Sequence, residues 1–127
     1  MGNGEFAITL DTEKEIVTIV ANGKLDKKLG EEIITNARTE ANKHRYQILY
    51  DVTQAKVEVS FIDWFFLPRT LPVLQNSEIR IIKAAVLIPP GDQEGSYRFY
   101  ETVTHNIGMN LRIFFKKKEA IKWLMSN

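Results

Sequence analysis

Cysteine is absent from the chain, which removes a disulfide framework, a thiolate nucleophile and any cysteine-based metal knuckle. Histidine is almost as scarce. His44 and His105 are the only two, and neither belongs to an H-E-x-x-H pattern, whereas a hydrolytic zinc site needs three placed ligands and an open fourth position. No metal site and no cofactor are expected. Each histidine stands near a predicted helix end, where a partly charged imidazole suits the helix dipole. An excess of either charge is also missing: 17 Lys+Arg against 16 Asp+Glu leave a formal +1. No nucleic acid is therefore expected as a partner. Lys116-Lys117-Lys118, followed by Lys122, reads as a solvated helix entrance. No apolar run approaches the ~20 residues that cross a bilayer, so no stable membrane insertion is expected. Met1-Gly2-Asn3-Gly4-Glu5 has neither the basic flank of an export signal nor the downstream Ser or Thr of an N-myristoylation signal. A cytoplasmic location is the expectation.

Nucleotide-binding glycine patterns are missing as well. Gly91 and Gly95 fit neither G-x-G-x-x-G nor G-x-x-x-x-G-K-[ST], and no glycine elbow exposes Ser60, Ser77 or Ser96 as a nucleophile. What the chain does have is core material. Of its 127 residues 44% are hydrophobic, including 7 Phe, 4 Tyr and 2 Trp, enough for one domain spanning 1–127 that buries roughly two thirds of its unfolded surface.

Phe6–Leu10 alternates as a half-buried strand does, Asp11–Lys14 makes a turn, and Ile16–Val20 reads as a second strand, giving an antiparallel hairpin. Asp26 is a suitable N-cap for a helix to about Asn42, with Leu29, Ile33, Ala37 and Ala41 inward beside Ile34. Glu31, Glu32, Arg38 and Glu40 are assigned to its wet side. A strand over Arg45–Thr53 presents Asp51 near its carboxyl end. Ser60 and Asp63 have capping-box spacing ahead of the aromatic stretch Phe61–Leu67. Pro68 and Pro72, only four residues apart, divide the segment up to Asn76 into a short helix and another helical piece. Ile79–Ile88 reads as a central strand ended by Pro89-Pro90-Gly91-Asp92, Ser96–Asn106 as a helix, Leu111–Phe115 as a strand and Lys117–Met125 as a last helix. Helices alternating with strands make parallel crossovers economical. The expected fold is α/β: a mixed, mostly parallel five-stranded sheet with helices packed against it.

Three stretches in this order carry a resemblance. They are Val20-Ala21-Asn22-Gly23-Lys24-Leu25 before the first helix, Ile48-Leu49-Tyr50-Asp51 on the middle strand, and Leu111-Arg112-Ile113-Phe114-Phe115 before Glu119-Ala120-Ile121-Lys122-Trp123-Leu124. Together they resemble a STAS-type domain, the fold of bacterial anti-sigma-factor antagonists and of the cytoplasmic domain of sulfate transporters, and more specifically the SpoIIAA-like small stand-alone proteins. In antagonist-type relatives a serine at the start of the second helix is phosphorylated by a partner kinase. The matching stretch here is Val59-Ser60-Phe61-Ile62-Asp63, after which Trp64, Phe65 and Phe66 occupy the positions where the acceptor would stand. The preceding loop, Thr53–Glu58, is longer than the antagonist pattern. Ser60 is read as a helix cap rather than a phosphosite. The resemblance implies a non-enzymatic binding or regulatory module without the phosphoserine switch.

Trp64, Phe65, Phe66 and Leu67 are the interface candidates, because consecutive residues of a helix point about 100° apart and cannot all face one core. A homodimer or another protein is the expected partner. Asp51, Asp92, Tyr97 and Tyr100 are the ligand-binding candidates, since pockets in open α/β sheets form beyond the carboxyl ends of the strands. This supports an alternative function, a carrier or sensor of a small apolar or amphipathic ligand held between the second and third predicted helices. A further alternative is an enzyme whose polar site joins Asp51, Tyr97 and His105, which requires their convergence on one pocket. No single residue is assigned as catalytic.

Overall fold

The computed structural model describes residues 4–126; Met1–Asn3 and Asn127, which belong to the span considered for terminal signals and domain extent, lie outside it. The elements run β1 (Glu5–Asp11), β2 (Ile16–Asp26), α1 (Lys27–His44), β3 (Gln47–Glu58), α2 (Phe61–Thr70), a 3-10 turn (Pro72–Gln75), α3 (Ser77–Arg80), β4 (Ala84–Leu87), α4 (Glu94–His105), β5 (Leu111–Phe114) and α5 (Lys117–Leu124). One sheet has the order β1-β2-β3-β4-β5, antiparallel between β1 and β2 and parallel thereafter. This is the mixed, mostly parallel five-stranded α/β architecture expected from the sequence.

The strand order advances without reversal. Parallel crossovers are right-handed almost without exception, so connections that always step the same way leave their helices on the same face. Accordingly α1, α2 and α4 share one core with Val17, Ile19, Ile48, Tyr50 and Val86 of the sheet. The opposite face is covered by α5, whose Ala120 and Leu124 meet Ile16, Leu49, Ala85 and Leu87. Strand alternation divides the residues: Tyr50 and Val52 belong to the helix-rich face, Leu49 to the face of α5.

Three local expectations need correction. The predicted loop Thr53–Glu58 is strand. Gln54–Glu58 pairs with Asn22–Asp26 after a register shift between Val20 and Asn22, so β2 and β3 continue past the end of β4 as a two-stranded ribbon. Its free edge is occupied by the Gln93 side chain, whose Oε1 accepts from Val57 N at 2.5 Å and whose Nε2 donates to Ala55 O at 3.4 Å. The predicted strand Ile79–Ile88 is strand only over Ala84–Leu87. Asn76 Oδ1 accepts from Glu78 N and Ile79 N at 2.9 and 3.2 Å, capping α3 and diverting the front of the apolar run into a helical turn.

Arg38, assigned to the wet side of α1, is 1% exposed. Its Nη1 donates to Ile79 O and Ile82 O at 3.1 and 2.9 Å. The chain after α3 folds back over α1 and brings carbonyls that need a donor, and the long arginine stem supplies one beneath the surface. As the two prolines implied, the segment divides into a short helix and a second helical piece: Pro68 sits in the last turns of α2, Leu71 is extended, and the 3-10 turn starts at Pro72.

Candidate functional site

The helix-rich face contains an apolar cavity of about 50 Å³ between α1, α2, α4 and the sheet. Gly30 of α1 forms part of its wall, with Tyr50 of β3, Trp64 of α2, Val86 of β4 and Tyr97 and Tyr100 of α4. The indole of Trp64 lies 4.6 Å from the Tyr100 ring and 6.1 Å from that of Tyr97, centroid to centroid. Gly30 borders the space. A Cβ built there would meet nothing within 4 Å, so a buried position on a helix carries no side chain where one would fit.

The polar atoms around this space are poorly served. Tyr97 Oη and Trp64 Nε1 are buried and make no hydrogen bond to a protein group among the described residues. Tyr50 Oη and Arg38 Nε, also outside ideal hydrogen-bond geometry, are neighbours, and the guanidinium acts directly on the phenol. Burial raises the pKa of Tyr97 and Tyr100 well above the ordinary phenol range. Burial also raises that of Tyr50, against the opposing influence of the nearby Arg38 charge. Arg38 has no carboxylate within 4 Å among the described residues.

The predicted ligand residues divide. Tyr97 and Tyr100 stand together in the cavity wall; Asp51 and Asp92 do not join them. Asp51 alternates with Tyr50 and Val52 and so belongs to the opposite face. Its Oδ1 accepts from Thr53 N and Thr53 Oγ1 at 3.0 and 2.6 Å, bracing its own strand. Asp92 is exposed beside Lys56, Val57, Gln93 and Ser96 in a separate surface depression. Pockets beyond strand ends form where strand order reverses, and this sheet has no reversal.

The triad of Asp51, Tyr97 and His105 is not assembled either. His105 is exposed, with Nε2 2.9 Å from Leu111 O. Leu111 pairs with Ala84 at the start of β4, whereas Asp51 pairs with Leu87 at its end. Asp51 and His105 thus sit at opposite ends of the strands, and Asp51 and Tyr97 on opposite faces. Among the described residues no group of three or more His, Cys, Asp or Glu side chains could hold a metal ion.

The interface candidates also split. Trp64 and Leu67 are 5% and 1% exposed and belong to the core, while Phe65 and Phe66 are 38% and 49% exposed. Phe61 and Ile62, at 57% and 65%, join the outward set, although the interface candidates did not include them. The signal that finds them is helical phase. Once Leu67 and Pro68 are taken as inward, Ile62 and Phe66 fall on the far side of α2. Arg69 stacks on the Phe65 ring at 3.9 Å, and Phe61 meets the Phe99 ring edge-on at 5.0 Å.

Ser60 is the N-cap of α2, its Oγ accepting from Asp63 N at 3.2 Å. Ser60→Ala is expected to cost about 1 kcal/mol of stability, read from the urea unfolding midpoint at constant slope. An unchanged midpoint would mean that the cap contributes nothing.

No family model matches the chain, and no curated protein matches it by sequence. Solved structures do resemble it. An uncharacterized protein of the DUF3478 family with a SpoIIAA-like fold, from Shewanella loihica PV-4, superposes with a TM-score of 0.59 at 20% identity, covering 95% of this chain and 93% of its own. The anti-sigma factor antagonist SpoIIAA in its unphosphorylated form gives 0.57 at 15% identity, covering 97% and 100%. The chain has the SpoIIAA-like fold, the STAS-type architecture that its sequence resembles.

Proposed function

We propose that residues 1–127 act as one non-enzymatic, cytoplasmic binding module that works through protein association at the outer face of α2, with a second copy of the chain as the partner. The observation that carries this reading is the outward cluster of Phe61, Ile62, Phe65 and Phe66. Four large apolar side chains exposed on ten residues of helix are the kind of surface that marks interfaces. The charges on the same helix favour a copy of itself. Asp63 lies in its first turn and Arg69 in its last, so a two-fold axis through α2 directs each carboxylate towards the other copy's guanidinium, with the aromatic cluster between them.

The same stretch supports a module without the phosphoserine switch. Ser60 is engaged as a cap, and Trp64, Phe65 and Phe66 follow where an acceptor would be needed. Among the described residues no helix is long and apolar enough to cross a membrane. Sedimentation equilibrium over a wide concentration range tests the association. The wild-type chain is expected to dimerise, and Phe66→Asp combined with Ile62→Asp to weaken the dimer at least tenfold while leaving the circular dichroism spectrum unchanged. A wild-type chain that stays monomeric at every concentration overturns the reading.

A second reading, a carrier or sensor of a small apolar or amphipathic molecule, is favoured by the cavity under Gly30. It shares Trp64 with α2 but no exposed residue with the proposed dimer face.

A further inference from the structure

We infer that the free edge of β3 beyond the end of β4 is a docking site for an extended peptide segment of another protein, which pairs with Ala55 and Val57 through its main chain after displacing the side chain of Gln93. This surface is separate from the outer face of α2 and does not depend on it.

The edge comes first. β4 pairs with β3 only as far as Leu87 opposite Asp51. Pro89-Pro90 then ends the strand, because proline has no N–H to give to a ladder. β3 continues to Glu58 with β2 on one side alone, and such an edge presents its N–H and C=O groups to any chain that can run alongside. The edge of β5, by contrast, is closed by two side chains of α4. His105 Nε2 lies 2.9 Å from Leu111 O, and Glu101 Oε2 accepts from Ile113 N at 2.9 Å while its Oε1 meets Arg98 Nη1 at 3.3 Å. Over Ala55 and Val57 there is one neutral side chain, and moving it disturbs no ion pair.

The stand-in comes second. Gln93 presents a carboxamide, chemically a peptide group, whose Oε1 accepts from Val57 N and whose Nε2 donates to Ala55 O. These two groups, one on either side of Lys56, are the pair that a residue of a parallel neighbouring strand engages. The imitation is incomplete. A carboxamide carries its nitrogen and oxygen on one carbon, whereas a strand residue carries its N–H and C=O on either side of a Cα. The Nε2 contact is accordingly 3.4 Å, beyond the ~2.7–3.2 Å of an ordinary N–H···O bond. A peptide strand replaces both contacts like for like, with better spacing, and returns the glutamine amide to water.

Space comes third. Lys56, Val57, Asp92, Gln93 and Ser96 line a surface depression of about 460 Å³ along this edge. The ribbon is amphipathic: Ala55 is buried and Val57 half-buried on the helix-rich side, while Gln54, Lys56 and Glu58 are exposed. A strand added beside it must alternate in the same way, apolar on the side of Val57 and polar on the side of Lys56. Lys56 and Asp92 bring opposite charges, so the main chain and this alternation carry the recognition rather than a net charge.

The test titrates the isotopically labelled whole chain with the acetylated and amidated peptide Thr-Val-Lys-Val-Thr and follows the amide resonances. Val57 and its neighbours in β3 are expected to shift, and the Val57 amide to exchange with solvent at least fivefold more slowly at saturation. Gln93→Ala, which removes the competing amide, is expected to tighten binding at least threefold. The fully N-methylated peptide keeps the side chains but has no backbone donors, and is expected to bind the wild-type chain at least tenfold more weakly. Equal binding of the N-methylated peptide, or shifts confined to Phe6–Leu10 of β1, overturns main-chain pairing at this edge. Self-association of Gln93→Ala without peptide, persisting when Phe66→Asp and Ile62→Asp are added, makes a second copy the occupant and overturns the assignment to another protein. If neither the wild type nor Gln93→Ala shows a shift, the glutamine only seals the edge and the inference falls. Dimerisation through α2 is decided separately by sedimentation, so the two readings fail independently.

Discussion

Raising the pH above 10 is expected to strip the protein of stability by roughly 4 kcal/mol per pH unit. Tyr50, Tyr97 and Tyr100 are buried together on the helix-rich face, and burial holds each phenol protonated beyond its ordinary range. In the unfolded chain the same groups ionise from about pH 10. Above that pH the unfolded state loses protons that the folded state retains, so unfolding is favoured. Below it these three groups contribute no pH dependence. Each contributes about 1.4 kcal/mol per pH unit, and a domain of this size holds about 5–15 kcal/mol in all. The phenolate absorbance and the loss of far-ultraviolet circular dichroism should therefore rise in one transition. Tyr97→Phe is expected to reduce the slope by about a third, since a single titrating group is removed. Complete ionisation of all tyrosines with an intact circular dichroism spectrum would contradict the burial of this cluster.

Trp64→Ala is expected to cost about 3–5 kcal/mol, a large share of the total and enough to leave the chain partly unfolded in mild denaturant. The indole is 5% exposed, touches Tyr97 and Tyr100, and borders a space already present. Its removal would enlarge that space rather than collapse it. Phe66→Ala, two residues along the same helix, is expected to change monomer stability by no more than about 0.5 kcal/mol, because its ring already faces outward at 49% exposure. Urea unfolding of both variants under monomeric conditions separates the two faces of α2. Equal losses would show that the helix is seated differently. The contrast also determines which residue can report on association: a change at Trp64 acts on folding, a change at Phe66 on the surface.

The hairpin, the crossovers and the mostly parallel sheet were legible because their signals are local and periodic. Phe6–Leu10 alternates, Ile48-Leu49-Tyr50 is continuously apolar, and Asp26 accepts from Leu29 N at 2.9 Å as an N-cap should. The extension of β3 was not legible, because Thr53, Gln54 and Lys56 have no apolar pattern of their own. They are strand because Asn22–Asp26 runs alongside. Arg38 was misplaced for a related reason. On α1 alone it is a long cation on a helix, and only the return of the chain after α3 gives it two carbonyls to bind. At the site, helical spacing implied that Trp64, Phe65, Phe66 and Leu67 must divide between two directions. It lacked the anchor that says which go inward. Asp51 drew attention as a carboxylate near the end of a parallel strand, but the absence of a reversal in strand order deprives that end of a crevice. The cavity itself had no signature, since a glycine within a predicted helix does not reveal what lies opposite it.

The unequal covering of the sheet has a consequence for how the molecule comes apart. One face lies under three helices, while the other depends on the eight residues of α5. That helix is secured at its far end by Lys83, whose Nζ donates to Trp123 O and Ser126 O at 2.7 and 2.8 Å while lying 4.8 Å from the centre of the Trp123 ring. Lifting α5 breaks this tether and uncovers Leu49, Ala85 and Leu87, yet leaves every strand pairing and the cavity side in place. Detachment of this segment is therefore a sub-global opening that spares the sheet. Such an opening bares apolar sheet surface on the side away from both the aromatic patch of α2 and the cavity.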